Sequence, residues 1–169
     1  VVEAGFHGVA GGDEVVVARL LGRDPAGGFS VVVRRGDGRP AVIANEPWLT
    51  DGTPMPTRYW LVDPALRVAV SQLESAGGVR RAASAVEAPE VAAAHRRYAA
   101  ERQAVACALA GGAEAARPWP SGGVGGTRQG VKCLHAHLAW WLAGGDDPVG
   151  RWTAAELGVD IGDFVVGAR

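Results

Sequence analysis

The chain has 169 residues, 48% of them hydrophobic and 21% charged, with 17 basic and 18 acidic residues and a net charge of −1. That length suits one domain with a real core and no disulfide or metal staples, and the mixed charge lacks the basic stripe of a nucleic-acid binder. No apolar run approaches the roughly 18 to 20 residues of a membrane span. Two cysteines, Cys107 and Cys133, are too few for a disulfide scaffold and point to a reducing cytoplasm.

Taken in chain order, residues 1–12 read as a poorly structured leader. They lack the basic flank and apolar stretch of a signal peptide, and they open on Val rather than Met, which fits an alternative start or a longer reading frame. A single globular domain is expected over 13–157, with a tail over 158–169 that carries no assigned element. Asp13 to Leu21 reads as a short helix capped by Asp13, with Val16, Val17, Leu20 and Leu21 on one face. After the breakers Gly22 and Pro25 to Gly28, the β-branched run Phe29 to Val33 reads as a strand. Gly36-Asp37-Gly38 is turn chemistry, and Ala41 to Ala44 returns as the second strand of a hairpin.

Glu46 to Thr57 holds three prolines, which fix φ and remove backbone donors, so it reads as a stiff loop. Arg58 to Val62 follows as a third strand. Asp63 caps a helix with Pro64 in its first turn, running to about Ala76, with Leu66, Val70 and Leu73 buried. Val79 to Val86 reads as a further helical turn or two. A long alanine-rich helix is expected from Pro89 to about Leu109, stopped by Gly111-Gly112. Ala113 to Gly130 reads as a loop or lid, Val131 to Ala143 as a helix, and Asp147-Pro148 as the start of a last helix to Leu157. The fold class is therefore α+β: a small antiparallel sheet, a hairpin plus a third strand, packed with a mostly helical C-terminal part.

The chemistry gathers between Gly122 and Trp152. Sixteen of the basic residues are Arg and one, Lys132, is Lys. The run Ser121 to Gly130 leads into the helix expected at Val131. Glycine-rich backbone can turn its N–H groups inward, and a helix start adds positive potential. With Arg128, Thr127 and Lys132 as further donors, the loop suits a phosphate or carboxylate, and Gly125, Gly126, Thr127, Arg128, Gly130, Lys132 and Arg151 are its candidate ligand-binding residues. No Gly-Lys-Ser/Thr closes it as a Walker loop, and no βαβ unit makes it a dinucleotide site. A plain structural loop is the competing reading.

Cys133, expected in the first helical turn, would have its thiol pKa lowered there, while an inert packed cysteine is the competing reading. Cys133 and His137 are four apart and share a helix face, with His135 pointing elsewhere. The pair can ligate a metal or act as nucleophile and base. It supplies only two of the three or four ligands zinc needs, leaving Asp51, Asp146 or Asp147 to complete a set. Histidines packed among Leu134, Leu138, Trp141 and Leu142 are the alternative. Candidate catalytic residues are thus His135, His137, Cys133 and Asp51; no metal ligand is assigned and no cofactor can be named.

Three segments together carry a resemblance: Gly122 to His137, Gly144 to Trp152, and Asp51 to Leu61 with Leu73-Glu74-Ser75-Ala76-Gly77-Gly78. The chain resembles the mainly actinobacterial family catalogued as domain of unknown function 501, over roughly Val15 to Leu157. The resemblance implies no activity. Its genes often adjoin those for enolase, a septum-formation protein of the DivIC type and an exopolyphosphatase, which implies a setting in cell division or phosphate metabolism. Many members carry Cys-Pro-Cys-Gly in the first hairpin, which with the later Cys-x-His implies a metal site. Here Arg35-Gly36-Asp37-Gly38 stands in that place without cysteine, and no metal is expected unless Asp37 substitutes.

Two functions follow as expectations. One is a non-catalytic cytoplasmic adaptor or regulator of division or envelope processes, with a protein partner, a possible anion-binding loop and exposed aromatics Trp48, Trp119 and Trp152. The other is a small hydrolase or transferase acting on a phosphorylated or anionic small molecule. A catalyst requires Lys132, His135 or His137, Arg128 and an acid such as Asp51 in one pocket.

Overall fold

A computed structural model describes residues 11–110 and 118–167. The hairpin forms as its turn chemistry dictates: β1 (Phe29–Arg35) and β2 (Pro40–Asn45) pair antiparallel around the glycine turn. β3 (Tyr59–Leu61) adds to the free side of β2. A fourth strand, β4 (Phe164–Val166), pairs with β1 and completes an antiparallel sheet in the order β3-β2-β1-β4. β4 comes from the tail to which the sequence assigned no element, because three residues carry too little periodicity to read.

β2 is central and covered on both faces, so all six of its residues are buried. Strand alternation then sorts the side chains. Val42, Ala44, Tyr59 and Leu61 face the main core. Ile43 and Trp60 face a smaller cluster with Val17, Leu20 and Leu21 of α1 (Gly11–Leu21). The register steps from Val31↔Ile43 to Val33↔Val42. This bulge at Val32 lets both Val32 and Val33 reach the main core. Helix α1 starts two residues before Asp13, whose carboxylate pairs with Arg34 on β1 at 2.5 Å rather than capping.

The helical layer follows. Asp63 caps α2 (Pro64–Ser75) by accepting from the Leu66 amide at 2.8 Å, and Leu66, Val70 and Leu73 are buried as their spacing predicts. Next come α3 (Gly78–Ala85) and the long α4 (Ala88–Ala110). The Gly111-Gly112 stop lies outside the described residues. α5 (Leu134–Leu142) and α6 (Pro148–Leu157) pack on each other, and α5 also meets β3 and α2. Its sequence, Leu-His-Ala-His-Leu-Ala-Trp-Trp-Leu, is apolar nearly all round, as a central helix must be. Among the described residues no helix is long and apolar enough to cross a membrane.

Candidate functional site

The start of α5 differs from the sequence expectation, and the difference builds the site. The helix begins at Leu134, not Val131, because Cys133 is extended, with φ −148° and ψ 114°. Cys133 is therefore the residue before the helix, and the four-residue helical spacing to His137 does not govern it. At this helix start stands the carboxylate of Glu74, near the end of α2. Its Oε1 accepts from the Leu134 amide at 2.6 Å, a carboxylate meeting the positive end of a helix. Its Oε2 lies 3.3 Å from His135 Nδ1.

Glu74, Cys133 and His135 thus converge, each offering one ligand atom, all within 4.8 Å of one another. The other ring nitrogen of His135, Nε2, lies 3.2 Å from the Arg67 carbonyl and 3.3 Å from Ser71 Oγ. A carbonyl only accepts, so Nε2 carries a hydrogen, and Nδ1 is the nitrogen that gains or loses the second proton, facing the Glu74 carboxylate. Contact with Cys133, opposed by burial and reinforced by the Arg67 carbonyl and the Glu74 charge, raises the His135 pKa above its ordinary value. All three donors are partly exposed. Cys133 and His135 open onto a cavity of about 310 Å³ against Trp60 and Leu61. A neighbouring cleft of about 930 Å³ along α2 shares Arg67 and His135 with it.

His137, two residues on, is turned into the core and is completely buried. Its Nδ1 bonds Asp147 Oδ2 at 2.7 Å, while Asp147 Oδ1 accepts from the Val149 and Gly150 amides and caps α6. Among the described residues His137 Nε2 has no hydrogen-bond partner. Beside it lies His95 of α4, with ring centroids 5.8 Å apart. His95 Nδ1 accepts from the Val124 amide at 3.0 Å, so its Nε2–H donates to the Gly130 carbonyl at 2.9 Å. Arg102, also on α4 and almost fully buried, donates to the carbonyls of Pro56, Pro120 and Gly122. These two side chains clamp the glycine loop, where the sequence allowed a lid.

Within that loop the Gly123 and Gly126 amides donate to the Thr127 and Gly123 carbonyls, at 2.6 and 3.0 Å, and the Gln129 amide to Thr127 Oγ1 at 3.4 Å. Gly125 and Gly126 sit half-buried in a single 3-10 turn, Val124–Gly126. Gly130, Arg128 and Lys132 are exposed, as is Arg151 on α6. Asp51 lies apart in the proline loop, where the Thr53 amide donates to it at 2.9 Å and holds its carboxyl below the usual range. None of Asp51, Arg128, Lys132 or Arg151 walls either His135 cavity. A further cavity of about 620 Å³, walled by Val15, Phe29 and Leu109, holds none of the candidates. Asp37 pairs with Arg39 at 2.7 Å in the hairpin turn and lies outside the cluster of Glu74, Cys133 and His135.

The aromatic surface also differs from expectation. Trp48 is buried, donating from Nε1 to the Pro118 carbonyl and packing edge-on to Trp119 with centroids 5.4 Å apart. Trp152 is half-buried under Arg81. Sequence reasoning passed over Glu74, Arg67, His95 and Arg102. Glu74 stood inside a quoted motif, but its partner lies some sixty residues away, a distance that only the fold closes.

These features define an α+β protein with a four-stranded antiparallel sheet, a central apolar helix and a carboxylate–imidazole–thiol cluster at that helix's start. The chain belongs to the family described as protein of unknown function (DUF501), whose sequence model matches residues 31–155. The matched span contains Glu74, Cys133, His135, His137 and Asp147. No curated protein and no solved structure matches the chain.

Proposed function

We propose that this protein is a non-catalytic adaptor or regulatory module whose working surface is the cleft onto which Cys133 and His135 open, beside Glu74. The supporting observation is the separation of the groups a catalyst would need together. His137 is sealed against Asp147, Asp51 sits in its own turn on the proline loop, and Arg128 and Lys132 lie outside the cavities that His135 walls. The free state of both cysteines fits a cytoplasmic setting, and cell division or envelope processes are the setting that family resemblance supplies. A fluorescent fusion in the native host should then concentrate at division sites, and a His135→Ala, Cys133→Ala form should lose that pattern while remaining folded.

The second reading is a hydrolase or transferase for a phosphorylated or anionic small molecule, favoured by the nearness of Cys133 to His135. Its weakness is the Arg67 carbonyl, which holds Nε2 as a donor and leaves the Glu74-facing Nδ1 as the basic nitrogen. An assay of the purified chain against phosphomonoesters, pyrophosphate and thioesters separates the two. The adaptor reading expects no turnover; turnover that disappears in Cys133→Ala would replace it with the enzyme reading.

A further inference from the structure

We propose that Glu74, Cys133 and His135 bind one divalent transition metal of the zinc class, with an open coordination position facing the cleft. The inference rests on reading this cleft as the working surface. It names the cleft's ligand, and it is tested by metal chemistry rather than by biological outcome.

The donor set is the first argument. A carboxylate oxygen, a thiolate and an imidazole nitrogen are the three ligand types zinc takes, and three protein ligands leave the fourth position for water or a partner's donor. Thiolate and imidazole together select against magnesium and calcium, which prefer oxygen. Tetrahedral zinc with bonds of about 2.0–2.3 Å places its ligand atoms roughly 3.5 Å apart. The three atoms already lie within 4.8 Å, so small side-chain rotations complete the geometry. Two anionic donors balance the charge of the dication, and binding releases the Cys133 thiol proton.

The surroundings are the second argument. Metal-binding histidines usually donate their other ring N–H to a carbonyl or carboxylate, and ligating carboxylates are themselves hydrogen-bonded. Both conditions hold here. The Arg67 carbonyl fixes Nε2–H at 3.2 Å, so Nδ1 is the nitrogen that faces Glu74 Oε2 and that exchanges its proton for the ion. The Leu134 amide holds Glu74 Oε1 at 2.6 Å, leaving Oε2 for the ion. Cys133 sits on extended backbone at the junction of loop and helix, next to the cavity against Trp60. The site uses no residue of the first hairpin.

The chain, stripped with chelator, should be titrated with Zn²⁺ and with Co²⁺. One equivalent of each should bind, and cobalt should give a thiolate charge-transfer band. Cys133→Ser should abolish that band; His135→Ala and Glu74→Gln should each weaken binding at least about tenfold; Cys107→Ser should change nothing. Should a variant fail to fold, the wild-type chain still decides: bound Zn²⁺ should shield Cys133 from alkylation, read by peptide mass spectrometry, while Cys107 reacts. No binding, binding that survives loss of Cys133, or alkylation of Cys133 unaffected by zinc overturns the site. Metal binding without septal localisation would leave this inference standing and remove the adaptor reading.

Discussion

Two histidines two residues apart meet opposite environments because consecutive helical residues turn by about 100°, so His135 and His137 project to nearly opposite sides. His135 reaches the cleft. His137 reaches the core, where Asp147 answers it and simultaneously caps α6 through two amides. Removing that carboxylate leaves an imidazole with neither nitrogen paired in an apolar interior, and a helix start with bare amides. The cap alone is worth about 1 kcal/mol, and leaving a buried polar group without its partner costs about 1–3 kcal/mol. Asp147→Ala should therefore lose at least about 2 kcal/mol in denaturant unfolding. A loss below about 0.5 kcal/mol, typical of surface positions, would mean that the His137 contact is not what holds this corner.

Among the elements, the approach of α5 and α6 is set by a glycine. A Cβ on Gly150 would stand 2.4 Å from the His137 carbonyl oxygen and 2.5 Å from Trp141 Cβ. Helix propensity favours Ala over Gly by about 1 kcal/mol, so propensity and packing predict opposite signs for Gly150→Ala. Overlap with backbone cannot be relieved by a rotamer change, and overpacking costs typically about 1–3 kcal/mol. The variant should melt below the wild type, with unchanged helix content; a rise in melting temperature would show that the two helices can separate at no cost. Helices α2 and α6 were legible in the sequence because Asp-Pro marks each start. The start of α5 was not, since Lys132 and Cys133 have acceptable helix propensity and nothing local records that Glu74 meets the Leu134 amide.

Across the whole molecule, Arg35 of β1 grips Asp63 with two bonds, at 2.8 and 2.9 Å, and ties the sheet to the start of α2. Burial by itself would raise the Asp63 carboxyl; the Arg35 guanidinium and the Leu66 amide outweigh it and hold the pKa below the ordinary value. A carboxyl lowered in the folded state binds fewer protons there than in the unfolded chain. It stabilises the fold above its unfolded pKa of about 3.9, and that contribution is lost as pH falls through the lower folded value. Unfolding free energy should therefore drop with acidification below about pH 4, and Asp63→Asn should remove part of that slope. An unchanged slope in the variant would assign acid lability to other carboxylates.

Length, hydrophobic period and Asp-Pro or glycine punctuation determined the α+β class, the hairpin and most helices, because those signals act over a few neighbouring residues. The same local view placed the chemistry between Gly122 and Trp152 and paired Cys133 with His137. Only the tertiary structure decided which histidine the cysteine meets. It also decided that the helix start is satisfied by the chain's own Glu74, that Arg102 and His95 clamp the glycine loop, and that the tail supplies the sheet's last strand. Each of these joins atoms far apart in sequence through burial and backbone hydrogen bonds, which no local pattern encodes.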